Sequence, residues 1–328
     1  MKQENGFWPA IKDFFFRAGD FKGVSSRAQY WWVFLVEFLL GVVIVGLFRV
    51  TDPAIGQATK SFGGSLISTI MTSLPLIFVY LSYPQLSLTI RRFRDAKVSP
   101  WWYLVLVIVA LAGPVLTVSG MGIWPIIVLP LVAGLADLIV LVLPSREQEV
   151  KPFPVQPHSP STIGVSFGAA VKDLFLRGGD FTGTSSRSQY WWSVLFDGLI
   201  IVPTFLFVIF SLVAAFIGAA TLGKFEPQDA VRIFNSLGSG AIILVMLIMA
   251  IVYAWSMLAL PMLTVIWRRF RDAGVSPWWF IAFYVVSNFV SALQASNPNF
   301  VLTLIPLILA IVQIVILALP PKNLGDQQ

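Results

Sequence analysis

Long apolar runs set the tightest limit on what this chain can become. They are each about 20 residues long and recur between short charged and aromatic stretches. Wound as a helix, such a run matches a hydrocarbon layer about 30 Å thick. Runs such as LVLVIVALAG (104–113) do not alternate polar and apolar residues, so they do not read as strands of a membrane barrel. Only 12% of the residues are charged, where a soluble domain carries about 25%.

The polar stretches between the runs are duplicated. KDFFFRAGDFKGVSSRAQYWW (12–32) returns as KDLFLRGGDFTGTSSRSQYWW (172–192), with 15 of 21 positions identical. RRFRDAKVSPWW (91–102) returns as RRFRDAGVSPWW (268–279), with 11 of 12 identical. Spans are expected near 28–49, 65–91, 100–119 and 122–143, and again near 188–219, 238–267, 277–293 and 299–319. The expected fold is all-α: a polytopic membrane protein of about eight transmembrane helices, built as two parallel four-helix repeats. Residues 1–143 form the first repeat, 144–166 a Pro-rich linker and 167–328 the second repeat. A short amphipathic helix is expected over 7–18, with a weaker echo over 168–178. A short helix on the outer surface is expected from Glu226 to Gly238.

Several residues specify where helices start. Ser26 with Gln29, and Ser186 with Gln189, form capping boxes: the serine oxygen accepts a free N–H of the first turn and the glutamine reaches back to the cap. These place helix starts at Arg27 and Arg187. Ser99 and Ser276, each followed by proline, read as caps for the third span of each repeat. The adjacent tryptophan pairs suit headgroup depth.

Charge fixes an orientation. With the N-terminus in the cytoplasm, 18 of the 22 lysines and arginines fall on that side. The net charge of +6 then points to anionic membrane lipids as partners, not to nucleic acid. With no cysteine, and with the single histidine (His158) in the linker, neither thiolate chemistry nor a metal site is expected; no cofactor motif appears either. The first residues lack the pattern of a cleavable signal peptide.

Two residue sets are candidates for function. The arginines Arg27, Arg91, Arg92, Arg94, Arg187, Arg268, Arg269 and Arg271 are either topology anchors or contacts for lipid phosphate, since guanidinium forks suit phosphate oxygens. Asp95 and Asp272 are expected to pair with Arg27 and Arg187. Glu37, Asp197 and Asp137, with Gln313 at the position matching Asp137, are polar residues inside the apolar layer. Such groups pair, protonate or line a wet path. No nucleophile–base pair is apparent, so no enzyme activity is expected.

The stretches GDFxGxSSRxQYWW and RRFRDxxxSPWW resemble the domain of unknown function 805 family of bacterial inner-membrane proteins. The resemblance covers both halves, as a tandem duplication would. It departs at the family's first arginine, at the glycine before the second tryptophan pair, and at the ends, which here read Leu143-Pro144 and Leu319-Pro320. It implies a bacterial plasma membrane and no particular activity. Two functions remain: a non-enzymatic protein with a lipid-contacting or scaffolding cytoplasmic rim, or a transporter or channel with carboxylates between the repeats.

Overall fold

The computed structural model describes residues 6–58, 67, 71, 73–145, 164–221, 239–296 and 299–321. His158, nearly all of the linker and the helix expected at 226–238 lie outside the described residues. Within them the secondary structure is helical throughout. The first repeat comprises α1 (Phe7–Phe16), α2 (Arg27–Ala58), α3 (Leu76–Asp95), α4 (Trp101–Leu116) and α5 (Trp124–Val142). The second comprises α6 (Phe167–Leu176), α7 (Arg187–Thr221), α8 (Ser239–Asp272), α9 (Trp278–Ser296) and α10 (Phe300–Ala318). Each expected span has its helix. Among the described residues, four stretches are individually long and apolar enough to cross a membrane: Arg27–Phe48, Trp124–Val142, Ile251–Asp272 and Phe300–Ala318.

Both capping boxes form. The Ser26 N–H donates to Gln29 Oε1 at 3.0 Å, and the Gln29 N–H to Ser26 Oγ at 3.3 Å. The second copy repeats this at 2.8 and 3.2 Å. All four residues are buried, so these bonds satisfy donors that water cannot reach. The serines at the third spans act otherwise. Pro100 itself occupies the cap of α4, and the Ser99 and Ser276 carbonyls accept from the Trp102 and Trp279 N–H groups, both at 3.1 Å.

Each repeat packs its core from the same positions. In the first, Phe14, Tyr30, Leu88 and Leu141 meet. In the second, Leu174, Tyr190, Val265 and Leu317 occupy the matching places. The short helices α1 and α6 belong to these cores: spacing of four residues puts Ala10 with Phe14, and Ala170 with Leu174, on one buried face. The two copies also end the arginine-bearing helix alike. The Val98 N–H reaches the Phe93 carbonyl, and the Val275 N–H reaches that of Phe270. This closure needs a left-handed residue, which is Gly274 (φ 71°) in one copy and Lys97 (φ 58°) in the other. The one mismatch in the 12-residue motif therefore falls where the backbone favours glycine.

The repeats join through α3 and α8. Tyr83 Oη donates to the Phe175 carbonyl at 2.5 Å, and Ser82 Oγ to that of Ser256 at 2.9 Å. The turns after α1 and α6 meet reciprocally: Gly19 lies against the Phe175 and Leu176 carbonyls, and Gly179 against the Phe15 carbonyl. A β-carbon at either glycine would run into backbone that has no room to yield.

This contact generates a prediction with two signs. Gly179→Ala should destabilise the protein by about 1–3 kcal/mol, while Gly134→Ala, where a β-carbon meets nothing within 4 Å, should be neutral or slightly stabilising. Thermal melting in detergent reads both.

Candidate functional site

The four largest fully buried side chains described are not hydrophobic. They are Arg91, Arg92, Arg268 and Arg269, each at 0% exposure. A guanidinium carries five donors and stays charged, so its burial requires acceptors built into the fold. Consecutive residues on a helix project about 100° apart. Each Arg-Arg pair therefore serves two neighbours at once.

The first arginine of each pair faces the short amphipathic helix and the turn after it. Arg91 Nη1 donates to Asp13 at 2.9 Å. Arg268 donates to the Arg177 carbonyl at 3.0 Å, to the Asp180 carbonyl at 3.1 Å and to Ser185 Oγ at 2.9 Å. Its other amino group stands 3.7 Å from Asp173. In each copy the same turn has its own ion pair. Arg17 bonds Asp13 at 3.0 Å and Asp20 at 2.6 Å. Arg177 bonds Asp180 at 3.0 Å. Burial alone would raise the Asp20 carboxyl, but the hydrogen bonds and charge of Arg17 and the Gly23 N–H hold it below the usual range. Asp180 is lowered in the same way: burial is outweighed first by Thr182 and then by Arg177.

The second arginine faces the end of the last helix of its repeat. Arg92 Nε donates to the Leu141 carbonyl at 3.3 Å, Nη2 donates to the Leu143 carbonyl, and Nη1 donates to Asp95 at 2.7 Å. Arg269 Nε donates to the Leu317 carbonyl at 3.0 Å, and its amino groups donate to the Leu319 carbonyl and to Asp272. The last carbonyls of a helix have no partner within it. Here a buried cation supplies the donors and also favours the negative end of the helix dipole. The Leu-Pro ending of each repeat is where this bond set stops the chain.

These contacts correct two expectations. Arg91, Arg92, Arg268 and Arg269 do not offer themselves to lipid phosphate, because their side chains are buried within the protein. Asp95 and Asp272 pair with Arg92 and Arg269, three residues earlier on the same helix, rather than with Arg27 and Arg187. Arg27, Arg94, Arg187 and Arg271 are exposed. Arg27 and Arg187 lie within electrostatic reach of Arg92 and Arg269 as like charges. Sequence reasoning did not find Ser145, whose Oγ accepts from the Arg27 backbone N–H at 3.0 Å and also bonds Asp95.

The intramembrane polar residues separate into two places. Glu37 and Asp137 both lie within electrostatic reach of Tyr30, which also meets Gln85 (3.3 Å) and Thr89. Buried Asp137 Oδ1 and Gln85 Oε1 find no hydrogen-bond partner among the described residues. In the second repeat the positions of Gln85, Thr89 and Tyr103 are Met262, Ile266 and Phe280, so that polar cluster has no twin. Asp197 instead lines a cavity of about 200 Å³ with Trp255 of α8 and Tyr80 of α3; neither Glu37 nor Asp137 is among its walls. Gln313 is half-buried on α10.

Fold and site together define a class: an all-helical, polytopic membrane protein made of two like units, each closed by a buried arginine pair. Residues 18–151 and 179–327 each match the family described as Protein of unknown function (DUF805). The chain belongs to that family and carries its domain twice. No curated protein and no solved structure matches it.

The arginine assignments generate a second prediction. Arg269→Ala leaves Asp272 and two helix-end carbonyls buried without their donor and should cost about 3–5 kcal/mol. Arg269→Lys should recover little of this, because an ammonium cannot span both carbonyls and the carboxylate as a planar fork does. Chemical denaturation of the detergent-solubilised protein distinguishes the two variants from the parent.

Proposed function

We propose that this chain is a non-enzymatic integral protein of the bacterial inner membrane, with both termini in the cytoplasm. The buried arginines act as its scaffold, and its cytoplasmic rim contacts anionic lipid. The orientation rests on the placement of 18 of the 22 basic residues on one side. The observation that carries the reading is a division of labour at one end of the bundle. Arg91, Arg92, Arg268 and Arg269 are withdrawn into protein contacts. The exposed Arg27, Arg94, Arg187 and Arg271 share that end with tryptophans that stay open, Trp101 at 75% and Trp278 at 66%. Indole rings at the headgroup layer with guanidinium groups beside them make a surface suited to lipid phosphate. Each basic residue held there adds about 1 kcal/mol of attraction to an anionic surface.

Replacing Arg27, Arg94, Arg187 and Arg271 together with alanine is expected to lower the anionic fraction of co-purifying lipid without changing the melting temperature. An unchanged fraction removes the rim reading.

A second reading is supported by the cluster around Tyr30. Two carboxylates near one tyrosine, with acceptor oxygens that lack donors, suit a small cation or a proton in transit. On this reading proteoliposomes show proton or monovalent-cation flux, and Glu37→Gln with Asp137→Asn abolishes it while melting is retained. Absence of flux through the unsubstituted protein rejects it.

A further inference from the structure

The two repeats leave a groove of about 730 Å³ along their junction, walled by α3, α8 and α9 and closed at one end by Phe181. Its lining is almost wholly apolar, and its flanks are open to the surroundings: Ile77 is 41% exposed and Val285 57%. In a bilayer that opening faces acyl chains. The groove's polar groups include Ser73, Tyr80, Tyr284 and Asn288, the last bonded to the Tyr284 carbonyl, and one of another kind. Trp267 lines the groove, and its indole N–H, although buried, meets no acceptor among the described residues. A buried donor without an acceptor costs about 1–3 kcal/mol, so the site favours a ligand that brings an oxygen. Trp267 directly precedes buried Arg268 and stacks edge-on against Trp278, with ring centres 5.4 Å apart. It therefore sits at the level of the aromatic rim, where the ester carbonyls of a glycerolipid lie.

The groove has a pseudo-symmetric twin of about 400 Å³ in the other half-junction. Phe21 stands for Phe181, Ile90 for Trp267, Tyr103 for Phe280, and Tyr253 for Leu76. In the twin the polar group at the rim is Arg94, beside Trp101. Both grooves thus combine an apolar wall with a donor at the same end, which is the polarity of a phospholipid lying with its headgroup towards the arginine-bearing face.

We propose that the larger groove holds one phospholipid, its acyl chain along the α3–α9 wall and an ester carbonyl accepting from the Trp267 indole N–H. Moving an acyl chain from bilayer to groove gains no hydrophobic energy, because lipid tails are as apolar as the wall. Selective retention depends on the donor and on shape. This inference rests on the membrane setting proposed above but not on the rim arginines, none of which lines the larger groove.

Native mass spectrometry of the detergent-solubilised protein, titrated with phosphatidylethanolamine, tests it. The variant lacking Arg27, Arg94, Arg187 and Arg271 is expected to keep one tightly held phospholipid. Ile77→Trp with Val285→Trp, which fills the groove, is expected to lose it. Trp267→Phe keeps the ring, removes only the N–H and is expected to weaken retention about fivefold, the worth of one hydrogen bond. No retained lipid in the variant lacking the four rim arginines, equal retention after filling, or equal retention by Trp267→Phe each overturns the assignment. So does a retained mass other than a phospholipid. If the filled variant does not fold, the Trp267→Phe titration decides alone. The rim reading fails separately, through an unchanged anionic fraction.

Discussion

A guanidinium buried in a low-dielectric bundle must be given its acceptors by the protein itself; Arg92 and Arg269 find them for all three nitrogens, while Arg91 and Arg268 each keep one buried amino group without a hydrogen-bond partner among the described residues. Arg91 draws in the amphipathic helix and Arg268 the turn behind it; Arg92 and Arg269 draw in the end of the last helix. The first and last elements of each repeat are therefore anchored to one turn of α3 or α8. In lipid the hydrophobic effect does not hold helices together. Directed, charge-assisted bonds at one end take over that role, and the carbonyls they satisfy would otherwise be stranded.

The duplication shows which parts of this scheme are obligatory. The arginine pairs, the carboxylates three residues after them, the capping boxes and the core positions of Tyr30 and Tyr190 are kept in both copies. The interior of the spans is not. Where the first repeat gathers Gln85, Thr89 and Tyr103 around Tyr30 and Asp137, the second has Met262, Ile266 and Phe280. The polar cluster of one unit is replaced by apolar residues in the other, while their common frame is unchanged.

Much of the fold was legible in the sequence because length and periodicity suffice for it. Eight apolar runs gave eight helices, and Ser26 with Gln29 marked a helix start to the residue. The site was legible only in part. That the arginines matter follows from their repetition. Whether they face lipid or protein depends on acceptors about 50 residues away, the carbonyls of Leu141 and Leu317, and a backbone carbonyl has no signature in a sequence. The Arg92–Asp95 spacing of three did carry the true pairing, since residues three apart share a helix face. Glu37 shares α2 with Tyr30, seven residues on, but the approach of Asp137 to Tyr30 carried no local signal, because only tertiary packing brings α5 to α2.

The reciprocal seating of Gly19 and Gly179 has a consequence for assembly. Each unit carries both a notch and the backbone edge that fills its partner's notch. Such a self-complementary contact closes after two units and leaves no unmatched face to propagate a chain of subunits. A lone unit of this kind would complete itself by meeting a second molecule of its own type. Fusing the two into one polypeptide keeps the closed pair while raising their effective concentration. It also frees each half to change without its twin, as the exchange of Gly274 for Lys97 records.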